Sequence, residues 1–322
     1  MSLKKLLSAV ALCGITAFSC SAQESIEINV SDGGNGKLIY IITPSHANPF
    51  FKTEAHVAAD TARDLGYTVK ICSHDDNLVK QSELFEAAIS DGAVAIICDN
   101  AGAEGTTPAV KRAKDNGVPT FLIDREINET GFAVAQIVSN NYQGAKAVAE
   151  AFVQAMGEEG EYAELYGLES DANAKIRSAA FHEVLDKYPK LRRVTMQIAN
   201  WDQNLAYQKT ERILSSYPNI KGIISGNDNM AVGATEAVIA SSKPGIKIVG
   251  FDGSNDAAKY IRNDKMVATA LQPIADIAAL AVYEVDDYLK KGSTGKSEKQ
   301  QVDCVVINKD NVFFLNDFTL AQ

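Results

Sequence analysis

Cysteine, tryptophan and net positive charge are all scarce in this chain, and each shortage removes a class of function. Of 322 residues, five are cysteine and one is tryptophan, and Lys plus Arg number 31 against 41 Asp plus Glu, a formal charge of -10. Cys13 and Cys20 lie near the N-terminus, while Cys72, Cys98 and Cys304 sit in apolar, strand-like runs without C-x-x-C spacing. That pattern excludes a disulfide framework and a cysteine zinc site, and it reads as buried free thiols. The four histidines, His46, His56, His74 and His182, show no metal-ligand spacing, so neither metal nor cofactor is expected. The acidic balance argues against nucleic acid or an anionic membrane as the main partner, because both need a basic footprint. No G-x-G-x-x-G joins a first strand to a first helix. The glycines of Asp32 to Gly36 precede that strand, which removes a dinucleotide-binding dehydrogenase. No G-x-S-x-G provides a nucleophile elbow, so a hydrolase of that kind is removed too, and no enzyme is expected.

Long apolar runs are also missing, with one exception. Lys4 and Lys5 precede an apolar stretch from Leu6 to Phe18, followed by the small residues Ser19, Cys20, Ser21 and Ala22. The stretch is too short to span a bilayer and matches the core of an export signal. Residues 1–22 are therefore expected to be a signal peptide cut after Ala22. The competing reading is a lipoprotein signal of 1–19, with the Cys20 sulfur lipidated. Residues 23–36, ending Asp32-Gly33-Gly34-Asn35-Gly36, read as a flexible tether. The expected location is the periplasm, with membrane contact only through such an anchor.

What the chain has in quantity is alternation. Apolar residues make up 46% and charged residues 22%, an ordinary globular balance. From Lys37 onward, short apolar strands alternate with amphipathic helices. Strand readings fall at Leu38 to Ile42, Val69 to Cys72, Val94 to Cys98, Pro119 to Ile123 and Val134 to Val138. They resume at Tyr162 to Tyr166, Val194 to Ile198, Gly222 to Ser225, Ile246 to Gly250, Val267 to Leu271 and Val302 to Ile307. Helical stripes lie between them: Phe51, Ala55, Ala58, Ala62 and Leu65, then Ala145, Val148, Ala149, Phe152, Val153 and Met156, then Ile277, Ala278, Ala281, Val285 and Tyr288. Pro108 to Asn116 reads as a helix stopped by Gly117. Repeated strand–helix units imply parallel sheets covered on both faces. About eleven strands exceed a comfortable open sheet, so two doubly wound α/β domains are expected, dividing near Ser139–Asn140.

In such sheets ligands bind beyond the carboxyl ends of the strands. There the first strand runs into Asn48-Pro49-Phe50-Phe51 and the fourth into Asp124-Arg125. In the second half Trp201-Asp202, Gly226-Asn227-Asp228, Phe251-Asp252-Gly253 and Gln272 hold the same place. Two adjacent aromatics opening a helix cannot both be core, so at least one ring should face the cleft. A carboxylate beside a guanidinium pairs an acceptor with donors, matching vicinal hydroxyls, and aromatic faces stack on the C–H face of a sugar ring.

These motifs resemble the periplasmic sugar-binding proteins of the ribose-binding type, which feed ABC importers, and the resemblance runs from Lys37 to about Asn308. It implies a type I periplasmic-binding fold, two parallel-sheet domains joined by a three-stranded hinge. The lobes would be 37–139 plus 273–303 and 140–272 plus 304–322, with crossovers near Ser139/Asn140, Gln272/Pro273 and Asp303/Cys304. By the same resemblance, Asn48, Phe50, Phe51, Asp124, Arg125, Arg177, Trp201, Asn227, Phe251, Asp252 and Gln272 would line a monosaccharide site, with Phe181 four residues after Arg177. Two positions depart from the pattern. Pro44 replaces a serine, and Trp201 replaces the closing phenylalanine, as in allose-type relatives. Phe51 retained in place of a second Trp points to D-ribose. The implied partners are that sugar, an ABC permease and its ATPase, with the protein a monomer. The alternative is a periplasmic sensor presenting allose, another monosaccharide or a furanosyl signal to a receptor. A sugar-responsive repressor of this fold would need a basic helix-turn-helix where this chain has an export signal.

Overall fold

The computed structural model describes residues 37–321; the expected export signal, Cys20 and the expected tether over 23–36 lie outside the described residues. Two six-stranded sheets organise the chain. The first contains β1 (Leu38–Thr43), β2 (Thr68–Ser73), β3 (Ala95–Cys98), β4 (Thr120–Ile123) and β5 (Ala135–Ser139), with β11 (Lys299–Val302) on its edge, in the order β11-β5-β4-β3-β1-β2. All its pairings are parallel. The second contains β6 (Gly160–Tyr166), β7 (Leu191–Ile198), β8 (Ile220–Ser225), β9 (Lys247–Asp252), β10 (Ala268–Leu271) and β12 (Val305–Ile307), in the order β12-β10-β9-β8-β6-β7. Only β12 runs antiparallel to its neighbour in that sheet. The fold is α/β, with two doubly wound, almost wholly parallel sheets.

The inner strands are apolar on both faces, and helices cover both sides. β1, β3, β4 and β5 are buried almost end to end, which is why their sequences are mostly apolar, with Gln136 the buried polar exception inside β5. The covering helices of the first sheet are α1 (Pro49–Asp64), α2 (Leu78–Ser90), α3 (Ala103–Asp115) and α9 (Ile274–Lys291). The second sheet carries α4 (Asn141–Met156), α5 (Ala172–Leu185), α6 (Gln203–Ser216), α7 (Asp228–Ala240) and α8 (Asn255–Arg262). Helix α1 begins where Asn48 caps it and Pro49 takes the first position, where a missing N–H costs nothing.

Three segments carry the chain between the sheets: Ser139 to Asn141, Leu271 to Ile274 and Val302 to Val305. Two readings from periodicity are corrected here. Val302 to Ile307 is not one strand. It breaks at Asp303–Cys304, with β11 pairing in the first sheet and β12 in the second. The break is fastened to the start of α4: Asn140 Nδ2 donates to Asp303 Oδ1 at 2.8 Å, and Cys304 N donates to Gln143 Oε1 at 2.9 Å. Helix α3 starts at Ala103 instead of Pro108, because the first turn closes ahead of the proline through Thr106 N donating to Gly102 O at 3.1 Å. Cys98 and Cys304 are buried free thiols, whereas Cys72 is only half-buried. After β12 the chain adds a short hairpin, β13 (Leu315–Asn316) and β14 (Thr319–Leu320).

Candidate functional site

Asn48, Phe50, Phe51, Asp124 and Arg125 of the first lobe and Arg177, Trp201, Asn227 and Asp252 of the second line one narrow cavity between the carboxyl ends of the two sheets. Each is delivered by a local device. Asn48 accepts from Phe50 N at 3.0 Å, so the cap that starts α1 also fixes the two rings that follow. Both rings face the cavity wall, edge to face, with centroids 5.5 Å apart. Asn227 caps α7 in the same way, accepting from Met230 N at 2.9 Å. In both asparagines the cap uses the amide oxygen and leaves the NH₂ group for other partners. Asp124, Trp201 and Asp252 hold φ of 55°, 62° and 133°. Such values are uncommon for non-glycine residues, and these three of the chain's positive-φ positions lie in the cavity wall.

Arg125 is the electrostatic centre of the first lobe. It is 2% exposed. Its Nη1 donates to Asp76 Oδ1 at 2.7 Å and to Asn100 O at 2.9 Å. Its Nε lies 2.9 Å from Asp171, 3.4 Å from Asp99 and 3.9 Å from Asp124. One guanidinium therefore faces four carboxyls. Burial pushes the Asp99 and Glu54 carboxyls well above the usual range, which favours their protonated forms and relieves the surplus negative charge. Burial also raises Asp124, against the pull of Arg177 and Arg125, to about 6. Behind this cluster, the buried His74 Nε2 meets Asp99 O at 2.7 Å and its Nδ1 accepts from Asp76 N at 3.0 Å. These partners suit a neutral ring with its proton on Nε2, and burial pushes its pKa down to about 4. The face of Phe51 covers the Arg125 guanidinium at 5.1 Å.

Arg177 plays the matching part in the second lobe. Its Nε donates to Asn141 Oδ1 at 2.7 Å, its Nη1 donates to Gly226 O at 3.0 Å, and Nη1 also lies 3.7 Å from Asp252 Oδ1. The guanidinium stacks on Phe251 at 3.9 Å and lies 5.5 Å from the Trp201 ring. Burial raises the Asp252 carboxyl well above its usual range, opposed chiefly by Arg177. Two expected residues stand behind the wall instead of in it. Phe251 is the platform under Arg177, and Gln272 donates through Nε2 to Asp252 Oδ1 at 2.8 Å. Phe181, also named with Arg177, is packed in the second lobe's core.

Two lining residues escaped the sequence reading, Asp171 and Asn173. Asp171 caps α5 through Asn173 N at 2.8 Å and accepts from Trp201 Nε1 at 3.1 Å. With its 2.9 Å approach to Arg125 it spans the cleft. Asn173 spans it too, donating to Asp124 O at 3.1 Å while accepting from Asn141 Nδ2 at 3.0 Å. The signal was available, since Ser170-Asp171-Ala172-Asn173 lies past the carboxyl end of β6, on the same edge as the motifs that were read.

The chemistry of this cavity is that of recognition. Carboxylates, guanidinium groups and amides alternate around it, with aromatic rings on facing sides. Asp124 Oδ1 makes no hydrogen bond within the described residues and keeps capacity for a ligand's hydroxyl. Among the described residues no group of His, Cys, Asp and Glu is arranged to hold a metal.

Residues 39–294 match the periplasmic binding protein domain model. The chain belongs to this family. It is a type I, sugar-binding member, exported to the periplasm, and its relatives are transport binding proteins and not enzymes. This periplasmic binding protein is 53% identical over 290 residues to the D-apiose import binding protein of Actinobacillus succinogenes, covering 88% of this chain and 92% of the relative. It is 31% identical over 273 residues to the ribose import binding protein of Bacillus subtilis, covering 84% and 88%. Its fold superimposes on an ABC transporter periplasmic solute-binding protein of Actinobacillus succinogenes with bound D-allose at a TM-score of 0.81, with 26% identity, covering 86% of this chain and 99% of the other. The protein is accordingly a substrate-binding component of ABC sugar import.

Proposed function

We propose that this periplasmic binding protein closes on one D-apiose molecule and delivers it to its importer. The observation that carries the sugar reading is the convergence of rings and hydrogen-bonding groups from both lobes on one buried cavity. The choice of sugar rests on the much higher identity to a protein named for D-apiose than to one named for ribose. D-Ribose, expected from the sequence, becomes the comparison ligand.

In this reading the sugar lies between Phe50 and Phe51 on one side and Trp201 on the other. Asn48, Asp124, Arg125, Arg177, Asn227 and Asp252 take its hydroxyls, while Phe251 and Gln272 hold Arg177 and Asp252 in place. The lobes 37–139 plus 273–303 and 140–272 plus 304–322 move as bodies about the three crossover segments. Sugar favours the closed form by its higher affinity for that form. The closed monomer then docks one lobe on each half of a permease driven by its ATPase. Residues 1–22 serve as the export signal, or 1–19 do with the Cys20 sulfur lipidated, and 23–36 act as a tether.

Isothermal titration calorimetry with D-apiose, D-ribose and D-allose tests this. D-Apiose is expected to bind at least about tenfold tighter than either competitor, a difference of about 1.4 kcal/mol. Tighter binding of D-ribose or D-allose would replace the proposed ligand, and heat from none of the three would remove the sugar reading.

A further inference from the structure

Beyond β12 the chain returns toward the cleft. Val312 to Phe314 form a short 3-10 turn, and β13 and β14 pair around the two-residue turn Asp317-Phe318. Both turn residues hold positive φ, 46° and 59°. A two-residue turn of that kind favours Asn-Gly or Asp-Gly, so a phenylalanine in the second place is strained. The hairpin is fastened to the second lobe. Arg262 of α8 donates to Val312 O at 2.9 Å and Leu315 O at 3.2 Å. Asn255 at the start of α8 donates to Asp317 Oδ1 at 2.5 Å and accepts from Asp317 N at 3.0 Å.

The strained ring is not exposed. Phe318 is 3% exposed and packs edge to face on Phe50 of the first lobe, with centroids 5.5 Å apart. Phe50 meets Phe51 in the same manner, and Phe51 covers Arg125. A line of contacts therefore runs from the C-terminal hairpin of one lobe to the central guanidinium of the other. Phe318 itself does not line the cavity.

We propose that Phe318 is a positioning residue of the sugar site: the second lobe delivers it on the C-terminal hairpin, where it sets the Phe50 ring and helps hold the lobes closed. The proposal rests on the reading that the cavity takes a sugar. A ring that served only to seal the second lobe's own core would matter to the sugar-free protein and not to binding.

Phe318→Gly separates these roles. It removes the ring and places Asp-Gly in the turn, the pair that this backbone favours, so the hairpin itself is kept. With D-apiose as the probe, calorimetry and stopped-flow kinetics should show binding weakened about tenfold, mostly through faster dissociation. The unfolding midpoint should fall less in the sugar-free variant than in the sugar-saturated one. Phe318→Leu, which keeps apolar bulk, should recover part of the affinity. Affinity and dissociation rate within about twofold of the unaltered protein would overturn the proposal, as would a midpoint that falls equally with and without the sugar. Failure of the unaltered protein to bind D-apiose would instead strike the sugar reading, before any variant is compared.

Discussion

At the scale of single residues, the cavity is built on buried charge that is paired across short distances but not fully hydrogen-bonded. Arg125 is held within its own lobe by Asp76, Asn100 O and the face of Phe51, and Asp171 reaches it from across the cleft. Preorganisation of this kind reduces the ordering cost of binding. Removing the guanidinium leaves buried carboxyls without their counter-charge. Arg125→Ala is therefore expected to cost about 2–5 kcal/mol of sugar binding, measured by calorimetric titration. Unchanged affinity would take Arg125 out of the site. The residue scale is also where the sequence was least informative. Asp124-Arg125 could be read as a pair because the two are adjacent, but Asp76, Asp99 and Asp171 reach the same guanidinium from three other loops. No local pattern marks such meetings, because the tertiary fold alone brings them together.

At the scale of elements, positions follow from strand ends and caps. Apolar runs bounded by polar or glycine residues marked the inner strands, and Asn48-Pro49 and Asn227-Asp228, read as lying past strand ends, prove also to start helices. The crossover at Asp303–Cys304 did not follow from periodicity, because Asp303 alone interrupts the apolar run from Val302 to Ile307 and the division is made by long-range bonds to Asn140 and Gln143. The C-terminal hairpin was not legible either. Its tip puts Asp-Phe where a turn signal would read Asp-Gly. The seat of Trp201 depends on an element end in another way. A Cβ on Gly167, just past β6, would fall 2.0 Å from the indole ring. Gly167→Ala is expected to push Trp201 out of its seat, lowering stability by about 1–3 kcal/mol and weakening sugar binding. Thermal unfolding and titration of that variant would check both effects, and wild-type values in both would show that the indole does not need the space.

At the scale of the whole molecule, two sheets with similar winding present their carboxyl edges to each other, and the chain passes between them three times. The alternation of strands and helices made this architecture the most legible feature of the sequence, because each strand–helix unit carries its own periodic signal. The identity of the sugar was the least legible, since it depends on how several side chains are spaced around a ring and not on which types are present. Closure is the central claim, and the chain's single tryptophan reports on it directly, because Trp201 lies in the cavity wall and donates to Asp171, which spans the cleft to Arg125. Titration of D-apiose followed by tryptophan emission should give a saturable change that tracks the calorimetric binding curve and is lost in Arg125→Ala. Calorimetric binding with no change in emission, or an emission change that persists in Arg125→Ala at the same sugar concentrations, would contradict closure around this cavity.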